Sequence, residues 1–516
     1  MEKKSRTVAS LKNIYFSLFS QISNIVLNYV CRYIFVRTLS SEYLGVNGLF
    51  SNILTIFSLA ELGIGSAIVY AMYKPIADNN TSKVQAFMKF YRKCYLIIAL
   101  IIFIIGLIIL PNINFFIKGN ANIDNLSLIY LLYLIDSVSS YLFVYKSSIF
   151  NATQENYICN IYQTICKTIM SILMIASLLI FKNFIVYLGI QISFKFLTNL
   201  LISKKADKKY PYIKEKNSNK LTKKEEKGIF KNVYALFCNQ IGNVLILGTD
   251  NIILSKYVGL TATGLYSNYY LVTSSITNVI GQIFNSIVAS VGNLAVEKDK
   301  DYTLETFNKI HFFNFLLALF SSTMFISCIN DFIVVSFGTE FLLDSITCFI
   351  ILINLYLLIM KNVVGTFKYA LGIFWNDKYC TLIRAIINIV VSIFLAMKIG
   401  IAGVFLGTLI SDLVTTFWFQ PYVLYKNGFE KKSNLYFKDF VKYTLCVIIS
   451  ICISLTILNF ISLNNLILKL LIDIFVAFMS IIFVVLICFK KNKNFIFYKN
   501  FAINIFNKFM KIKINK

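Results

Sequence analysis

The chain has 516 residues, of which 58% are hydrophobic and 14% are charged, and its mean hydropathy is +0.71. A soluble domain of this length could not hide so much apolar surface in one core, so the composition excludes a soluble protein and indicates an integral membrane protein. The formal net charge is +26. We attribute this charge to membrane topology and to attraction for anionic membrane lipids, and not to nucleic-acid binding.

Uncharged apolar runs of about 20 residues predict α-helices that cross the membrane, and they lack the alternating hydrophobicity of transmembrane β-strands. We therefore predict an all-α integral membrane protein with about 14 transmembrane helices. The first apolar run lacks a small-residue cleavage site, so we expect it to remain as a membrane helix. The predicted spans cover residues 11–36, 44–74, 86–110, 123–150, 156–181, 184–203, 228–256, 262–295, 304–330, 344–372, 378–398, 401–425, 436–460 and 466–489.

Lysine and arginine are concentrated in every second connection between the predicted spans. The connection 204–227 holds ten lysines, whereas connections after odd-numbered spans hold single cations such as Arg37 and Lys118. By the positive-inside rule, this asymmetry predicts that both termini are cytoplasmic. From Lys490 onward the tail carries eight lysines and no acidic residue, which favours an amphipathic helix on the inner leaflet over a disordered basic tail.

The sequence repeats itself at a shift near 219 residues. The matches are Gln21 with Gln240, Asn24 with Asn243, Gly45 with Gly264, and "LGIQIS" at 188–193 with "LGTLIS" at 406–411. Because the shift crosses six predicted spans, the halves should share one orientation, which favours a transporter with its substrate site between two lobes. The predicted domains are a six-helix lobe at 1–203, a basic cytoplasmic linker at 204–227, a second six-helix lobe at 228–430, two helices at 431–489 and a basic amphipathic tail at 490–516.

Polar side chains follow single faces of several predicted spans. In the first span, Asn24, Asn28 and Arg32 recur at steps of four residues and therefore share a face. Such stripes either form interhelical hydrogen bonds or line a cavity. We expect those on the repeat-related first and seventh spans to line a central cavity. The amides assigned to substrate binding on this basis are Asn24, Asn28, Asn243, Asn278 and Gln282.

Charged residues at membrane depth are costly and usually face protein or water. The seven basic residues of the predicted interior are Arg32, Lys146, Lys167, Lys195, Lys361, Lys368 and Arg384, and the four acidic ones are Glu61, Asp136, Asp250 and Asp412. This excess of positive charge favours an anionic substrate. Snorkelling of Lys146 and Lys368 to the interface, and purely structural acid–base pairs, are the alternative explanations.

Arginine is used sparingly in this chain, at only five of 50 basic positions, yet Arg32 and Arg384 lie within predicted spans. A guanidinium matches phosphate oxygens better than an ammonium does. We therefore expect these arginines to bind substrate. The lysines that we assign to the same role are Lys167, Lys195 and Lys361.

Glu61 lies in the middle of "ILTIFSLAELGIGSAIVYAMY", residues 53–73. Its depth along the second span makes Lys167 of the fifth span the expected partner. Glu61 either neutralises that lysine in a structural pair or titrates in an ion-coupled cycle. The candidate residues for coupling or gating are Glu61, Asp136, Asp250 and Asp412.

No motif points to an enzyme. The eleven cysteines contain no C-x-x-C pair, which indicates neither a zinc site nor a disulfide framework. The P-loop pattern G-x-x-x-x-G-K-[ST] does not occur, so the chain has no ATP-binding engine of that kind. We expect no catalytic residue, no metal and no cofactor.

Four stretches carry a family resemblance: "YLGVNGLFSNILTIFSLAELGIGSAI" (43–68), "YKPIAD" (73–78), "YLFVYKSSIFNATQENY" (141–157) and "GTDNIILSKYVGLTATGLYSNY" (248–269). They resemble the polysaccharide-synthesis flippases, the Wzx-type branch of the multidrug/oligosaccharidyl-lipid/polysaccharide exporter superfamily. The resemblance implies a V-shaped fold of 14 helices in the bacterial cell membrane. It also implies a polyprenyl-pyrophosphate-linked oligosaccharide as the substrate moved to the outer leaflet, with Arg32, Lys167 and Arg384 meeting the pyrophosphate.

Three other functions are weighed against this one. A drug/cation antiporter of the same superfamily would favour a net acidic cavity, and a peptidoglycan lipid precursor flippase would differ only in its cargo. A membrane polysaccharide polymerase would need catalytic residues on a large outer loop, whereas the predicted outer connections are short and poor in charge. Besides anionic lipids, the expected partners are a polysaccharide polymerase and glycosyltransferases of the same pathway.

Overall fold

The structure is a computed structural model, and it describes residues 6–57, 61, 64–119, 123–153, 155–214, 221–222, 227, 233–234, 241–242, 244–246, 248–373, 376–377, 379–461, 463–500 and 503. The chain divides into two compact units. The first unit consists of Met1–Ser267 and Thr381–Gly407, and the second consists of Asn268–Cys380 and Thr408–Lys516.

Long helices dominate both units. In chain order, the helices of the first part are α1 (Arg6–Thr38), α2 (Ser41–Phe57), α3 (Ile64–Ala77), α4 (Thr81–Ile109), α5 (Leu126–Phe143), α6 (Ser148–Ala152), α7 (Tyr157–Phe181), α8 (Phe184–Lys209) and α9 (Leu260–Glu297). They are followed by α10 (Lys300–Ser336), α11 (Ser345–Ala370), α12 (Cys380–Ile399), α13 (Ile401–Val414), α14 (Thr416–Leu424), α15 (Asn434–Asn459) and α16 (Leu466–Phe489). Both α9 and α13 begin in the first unit and continue into the second.

Asparagine and aspartate side chains begin several of these helices. They accept hydrogen bonds from backbone N–H groups that have no partner within the helix, and each such cap is typically worth about 1 kcal/mol. The capping residues are Asn80 for α4, Asn183 for α8, Asp299 for α10, Asp344 for α11 and Asn465 for α16. The caps therefore set where the helices start.

The prediction of an all-α membrane protein is confirmed. The described residues form helices and no strand, and 11 of their helical segments are long and apolar enough to cross a membrane. The predicted count of 14 is not confirmed. Most of the predicted span 228–256 lies outside the described residues, and α2 and α3 together occupy the predicted span 44–74.

Helix α8 ends at Lys209, beyond the predicted end at 203. An apolar run marks only the part of a helix that lies in hydrocarbon, and the polar extension of α8 is held by burial of Ala206.

Each unit has its own buried core. In the first unit, Tyr91, Tyr95 and Tyr141 join aliphatic side chains in one cluster. In the second unit the core is aromatic, and the rings of Phe315 of α10 and Tyr443 of α15 stack with their centroids 4.3 Å apart. The predicted domain boundaries stay a prediction.

Candidate functional site

Arg32 lies on α1, about 9 Å before the end of the helix at Thr38. Its Nη1 donates a hydrogen bond to Ser267 Oγ of α9 at 2.8 Å. Tyr187 of α8 and Tyr133 of α5 lie close enough to interact with the guanidinium charge. Among the residues that the structure describes, no carboxylate forms an ion pair with Arg32. The guanidinium therefore keeps N–H donors for an anion.

Lys167 lies on α7, the helix that packs along α1. Its ammonium interacts electrostatically with Cys31, the residue before Arg32, and with Lys195 of α8. Lys167 is half-buried, and in the described parts of the chain it too has no carboxylate partner. Two such cations at membrane depth are costly unless water or an anion balances them.

Lys195 of α8 pairs with Asp136 of α5 in the first unit. The two helices pack against each other, and Asp136 is 9% exposed whereas the Lys195 side chain is 48% exposed. The lysine is therefore accessible, but its charge is balanced by a buried acid. The pair joins a predicted substrate-binding residue to a predicted coupling residue.

Lys361 of α11 pairs with Asp412 of α13 in the second unit. The Lys361 and Asp412 side chains are 13% and 6% exposed, and Thr416 donates a further hydrogen bond to Asp412. Here again a predicted substrate-binding lysine and a predicted coupling acid lie together, in a more buried setting than the pair of the first unit.

These contacts change the charge balance expected from the sequence. Lys146 pairs with Asp207, and Lys368 pairs with Asp377, so neither lysine is an isolated snorkelling cation. The expected interior charge omitted both of these acids, since it counted only those within the predicted spans. Of the seven expected interior cations, the four lysines in ion pairs are Lys146, Lys195, Lys361 and Lys368.

Arg384 of α12 lies close enough to Asp250 for their charges to interact within the first unit. The two segments approach closely, because a Cβ on Gly242 would lie 2.2 Å from Thr381 O at the start of α12. Asp250 Oδ1 is enclosed and accepts no hydrogen bond. The structure thus brings together an arginine and an acid to which the sequence assigned separate roles.

Glu61 accepts a hydrogen bond from Tyr95 and also lies within hydrogen-bonding distance of Tyr141. Tyr91 donates to Tyr95 at 2.9 Å. The expected pair with Lys167 is wrong. Depth along a helix does not reveal which helices are neighbours, and α7 packs against α1 and α8 whereas α3 packs against α4 and α6.

The amides assigned to substrate binding are dispersed. Asn24 donates to Ser20 Oγ at 3.5 Å, and its Oδ1 is enclosed without a hydrogen bond. Asn28 is exposed on α1, and Asn278 and Gln282 are exposed on α9 within the second unit. Asn243 lies outside the described residues. Their role in binding stays a prediction.

The first unit therefore holds a group of side chains suited to an anion, which we call the cation cluster: Arg32, Lys167, Tyr133 and Tyr187. Guanidinium, ammonium and phenol groups can all donate hydrogen bonds to phosphate oxygens, and charged donors give the strongest bonds. Within the described ranges, no group of three or more His, Cys, Asp or Glu side chains is placed to hold a metal ion.

These features define a multi-pass helical membrane protein with a cationic site inside one unit. A family model described as "Polysaccharide biosynthesis protein" matches residues 10–291. This match spans more than half of the chain, and the chain belongs to that family. Comparison with curated protein sequences gives no match.

Solved structures share the fold. "Lipid II flippase MurJ, inward closed conformation" aligns with a TM-score of 0.66 at 16% identity over 95% of this chain and 99% of that one. An inward-facing multidrug resistance MATE family transporter of the MOP superfamily gives 0.57 at 14% identity over 76% and 91% of the chains. The Vibrio cholerae MATE transporter VcmN in the bent form gives 0.52 at 13% identity over 83% and 98%. The fold is that of MOP-superfamily proteins, and the resemblance expected from the sequence is confirmed.

Proposed function

We propose that this protein is a Wzx-type flippase. It moves polyprenyl-pyrophosphate-linked oligosaccharide repeat units from the inner to the outer leaflet of the bacterial cell membrane, for capsule, exopolysaccharide or O-antigen-like polysaccharide synthesis. Membership of the polysaccharide biosynthesis family and the fold shared with the lipid II flippase MurJ support a lipid-linked glycan as cargo. In this proposal both termini are cytoplasmic, and a polymerase and glycosyltransferases of the same pathway are the partners.

The observation that carries the proposal is the pairing state of Arg32 and Lys167. Both lie at membrane depth without a carboxylate among the described residues, where unbalanced charge is costly. A pyrophosphate group offers several anionic oxygens that would balance both cations at once. Tyr133 and Tyr187 lie near Arg32 and supply neutral donors for further oxygens.

Lys195 and Lys361 take part in a different way in this proposal. Each is held by an acid, Asp136 or Asp412, while no substrate is bound. A pyrophosphate that competes for the lysine would release the acid, and that exchange would couple binding to a change in helix packing. The half-exposed Lys195 is the better placed of the two for such an exchange.

Glu61 is the acid that we assign to ion coupling in the first unit. Its contacts are tyrosine hydroxyls, which can donate to a carboxylate and accept from a carboxylic acid. This environment accommodates both protonation states, as a coupling residue requires. Asp250 is kept as a coupling candidate because its Oδ1 is enclosed without a donor beside Arg384.

A multidrug antiporter is the second candidate, because two of the structures that share the fold are MATE transporters. A cationic drug requires available carboxylates. In this chain Asp136 and Asp412 are already paired with lysines, whereas Arg32 and Lys167 are unbalanced, which favours an anionic cargo. Peptidoglycan lipid precursors share that anionic chemistry and are separated only by experiment.

Leaflet crossing in reconstituted vesicles tests the proposal. Vesicles with purified protein would carry a fluorescent polyprenyl-pyrophosphate oligosaccharide in one leaflet, and crossing would be scored by accessibility to an impermeant quencher. Lipid II, an uncharged polyprenyl glycoside and a cationic dye serve as alternative cargoes. We expect crossing of the pyrophosphate-linked oligosaccharide alone. Crossing of lipid II alone would assign a peptidoglycan precursor flippase, and dye efflux alone would overturn the proposal in favour of an antiporter.

A further inference from the structure

A buried acid lies in the most apolar part of the second unit. Helix α16 has a mean hydropathy of 3.0 over its membrane window, yet its Asp473 is only 2% exposed. After Asp473 the helix carries no charged residue up to its end at Phe489. A carboxylate at such a position needs a counter-charge or a proton.

The surroundings of Asp473 come from α10 and α15, the two long helices that pack against α16. From α10, Asp331 lies within hydrogen-bonding distance of the Asp473 carboxyl, and Cys328 interacts with both acids. From α16 itself, Lys469 donates to Asp331 Oδ1 at 3.0 Å. Helix α15 has no charged residue after Lys442.

Helix α15 contributes hydroxyl groups to a polar seam that we call the serine seam. Its hydrogen bonds are Thr323 to Ser450 at 3.2 Å, Ser327 with Ser454 at 2.8 Å and Ser450 with Ser480 at 3.2 Å. The seam runs along α10 in steps of four residues, from Thr323 through Ser327 to Asp331. The two acids therefore lie at one end of a buried polar contact that joins α10, α15 and α16.

The hydrogen-bond inventory of this acid pair is incomplete. Asp473 Oδ2 is enclosed and accepts no hydrogen bond from any N–H or O–H group. Lys469 supplies one positive charge, and its ammonium contacts Asp331. Two carboxylates at hydrogen-bonding distance cannot both stay ionised at low cost, and one proton shared between them removes the repulsion and provides the missing donor.

We infer that Asp331 and Asp473 form a proton-binding site that holds one proton between the two carboxyl groups. With the proton bound, the group of Asp331, Asp473 and Lys469 is neutral. Loss of the proton leaves one uncompensated negative charge at the contact between α10 and α16. Protonation therefore stabilises the packing of α16 on α10, and the stabilisation is lost as the pH rises through the titration of the pair.

The site lies near the end of α10 and the start of α16, about two helical turns from each terminus. On the topology predicted from the sequence, these are the outer ends of the two helices. The pair would then exchange its proton with the outside of the cell, and external pH would control the packing of α16.

Infrared difference spectroscopy of the purified full-length protein tests this inference. We expect the carbonyl stretch of a protonated carboxyl group at neutral pH, its disappearance as the pH is raised, and its loss in both Asp473→Asn and Asp331→Asn. Glu340→Gln removes an exposed carboxylate of the same unit and should leave the band unchanged. An unchanged band in both site variants would overturn the inference.

Thermal unfolding as a function of pH gives a second readout and needs no cargo, so its result is independent of the flippase proposal. Wild-type protein should lose thermal stability over the pH range in which the carbonyl band disappears. Asp473→Asn should fold and lose that pH dependence, because its amide donates to Asp331 at every pH. Stabilisation of the wild type by sodium chloride but not by choline chloride, together with absence of the carbonyl band, would contradict proton binding in favour of a metal cation.

Discussion

Gly45 of α2 and Gly264 of α9 lie where the backbones of two helices meet. A Cβ on Gly45 would lie 2.1 Å from Leu260 O, and a Cβ on Gly264 would lie 2.2 Å from Ser41 O. These contacts exchange under a shift of 219 residues, since Ser41 corresponds to Leu260 and Gly45 to Gly264. A two-fold relation between the repeats requires such an exchange, so this contact supports the repeat expected from the sequence.

Replacing either glycine by alanine should destabilise the protein. The new methyl group would meet a backbone carbonyl that cannot rotate away, so the helices would have to separate, at a cost of about 1–3 kcal/mol. Thermal unfolding of Gly45→Ala and Gly264→Ala measures this cost. Gly281→Ala on α9 is the matched control, because nothing lies within 4 Å of the added methyl. Wild-type stability in both site variants would rule out the close approach.

Lys361→Met should destabilise the second unit strongly. It would leave Asp412 buried beside Thr416 without the ammonium of Lys361, and breaking a buried pair from one side typically costs about 3–5 kcal/mol. The double variant Lys361→Met/Asp412→Leu removes both charges and should recover most of the loss in a denaturation experiment. A double variant as unstable as the single one would show that the ion pair is not the source of the effect.

Glu61→Gln should leave folding intact and impair translocation. The amide keeps an acceptor for Tyr95, but it removes the titratable group that the coupling proposal requires. Transport in reconstituted vesicles and thermal unfolding should be measured on the same preparation. Tyr95→Phe, which keeps the acid and removes one donor, serves as the comparison. Transport of Glu61→Gln at the wild-type rate would exclude Glu61 from the mechanism.

Gly65→Ala tests the packing of the tyrosines around Glu61. The added methyl group would lie 2.7 Å from the Tyr91 hydroxyl, which is too close, so we expect a loss of about 1–3 kcal/mol in stability. The double variant Gly65→Ala/Tyr91→Phe removes the clashing oxygen and should be more stable than Gly65→Ala. Equal stability of the single and double variants would place the clash elsewhere.

The sequence predicts the fold class well, because hydropathy reports directly on helices in a bilayer. It also places Arg32 and Lys167 at membrane depth, since charge within an apolar run is visible without a structure. The repeat is predicted from the spacing of Gly45 and Gly264 alone. These features depend on position along the chain.

Pairings between helices are harder to predict, because they depend on which helices are neighbours and how each is rotated. Lys195 and Asp136 are 59 residues apart in sequence, and no spacing rule connects them. Glu61 was assigned to Lys167 by depth, whereas the structure surrounds it with tyrosines. The spacing of Tyr91 and Tyr95, four residues apart in an apolar run, was the available signal for that site.

The central claim is that the unbalanced cations of the first unit bind the pyrophosphate of a lipid-linked oligosaccharide. The most direct test is the rate of leaflet crossing for Arg32→Ala and Lys167→Ala, compared with Arg37→Ala, whose exposed guanidinium lies 4.2 Å from the Tyr33 ring centroid. A lost charged hydrogen bond is worth about 1.5–3 kcal/mol, so we predict that each of the first two variants slows crossing at least about tenfold while Arg37→Ala does not. Crossing at the wild-type rate in Arg32→Ala and Lys167→Ala would contradict the account.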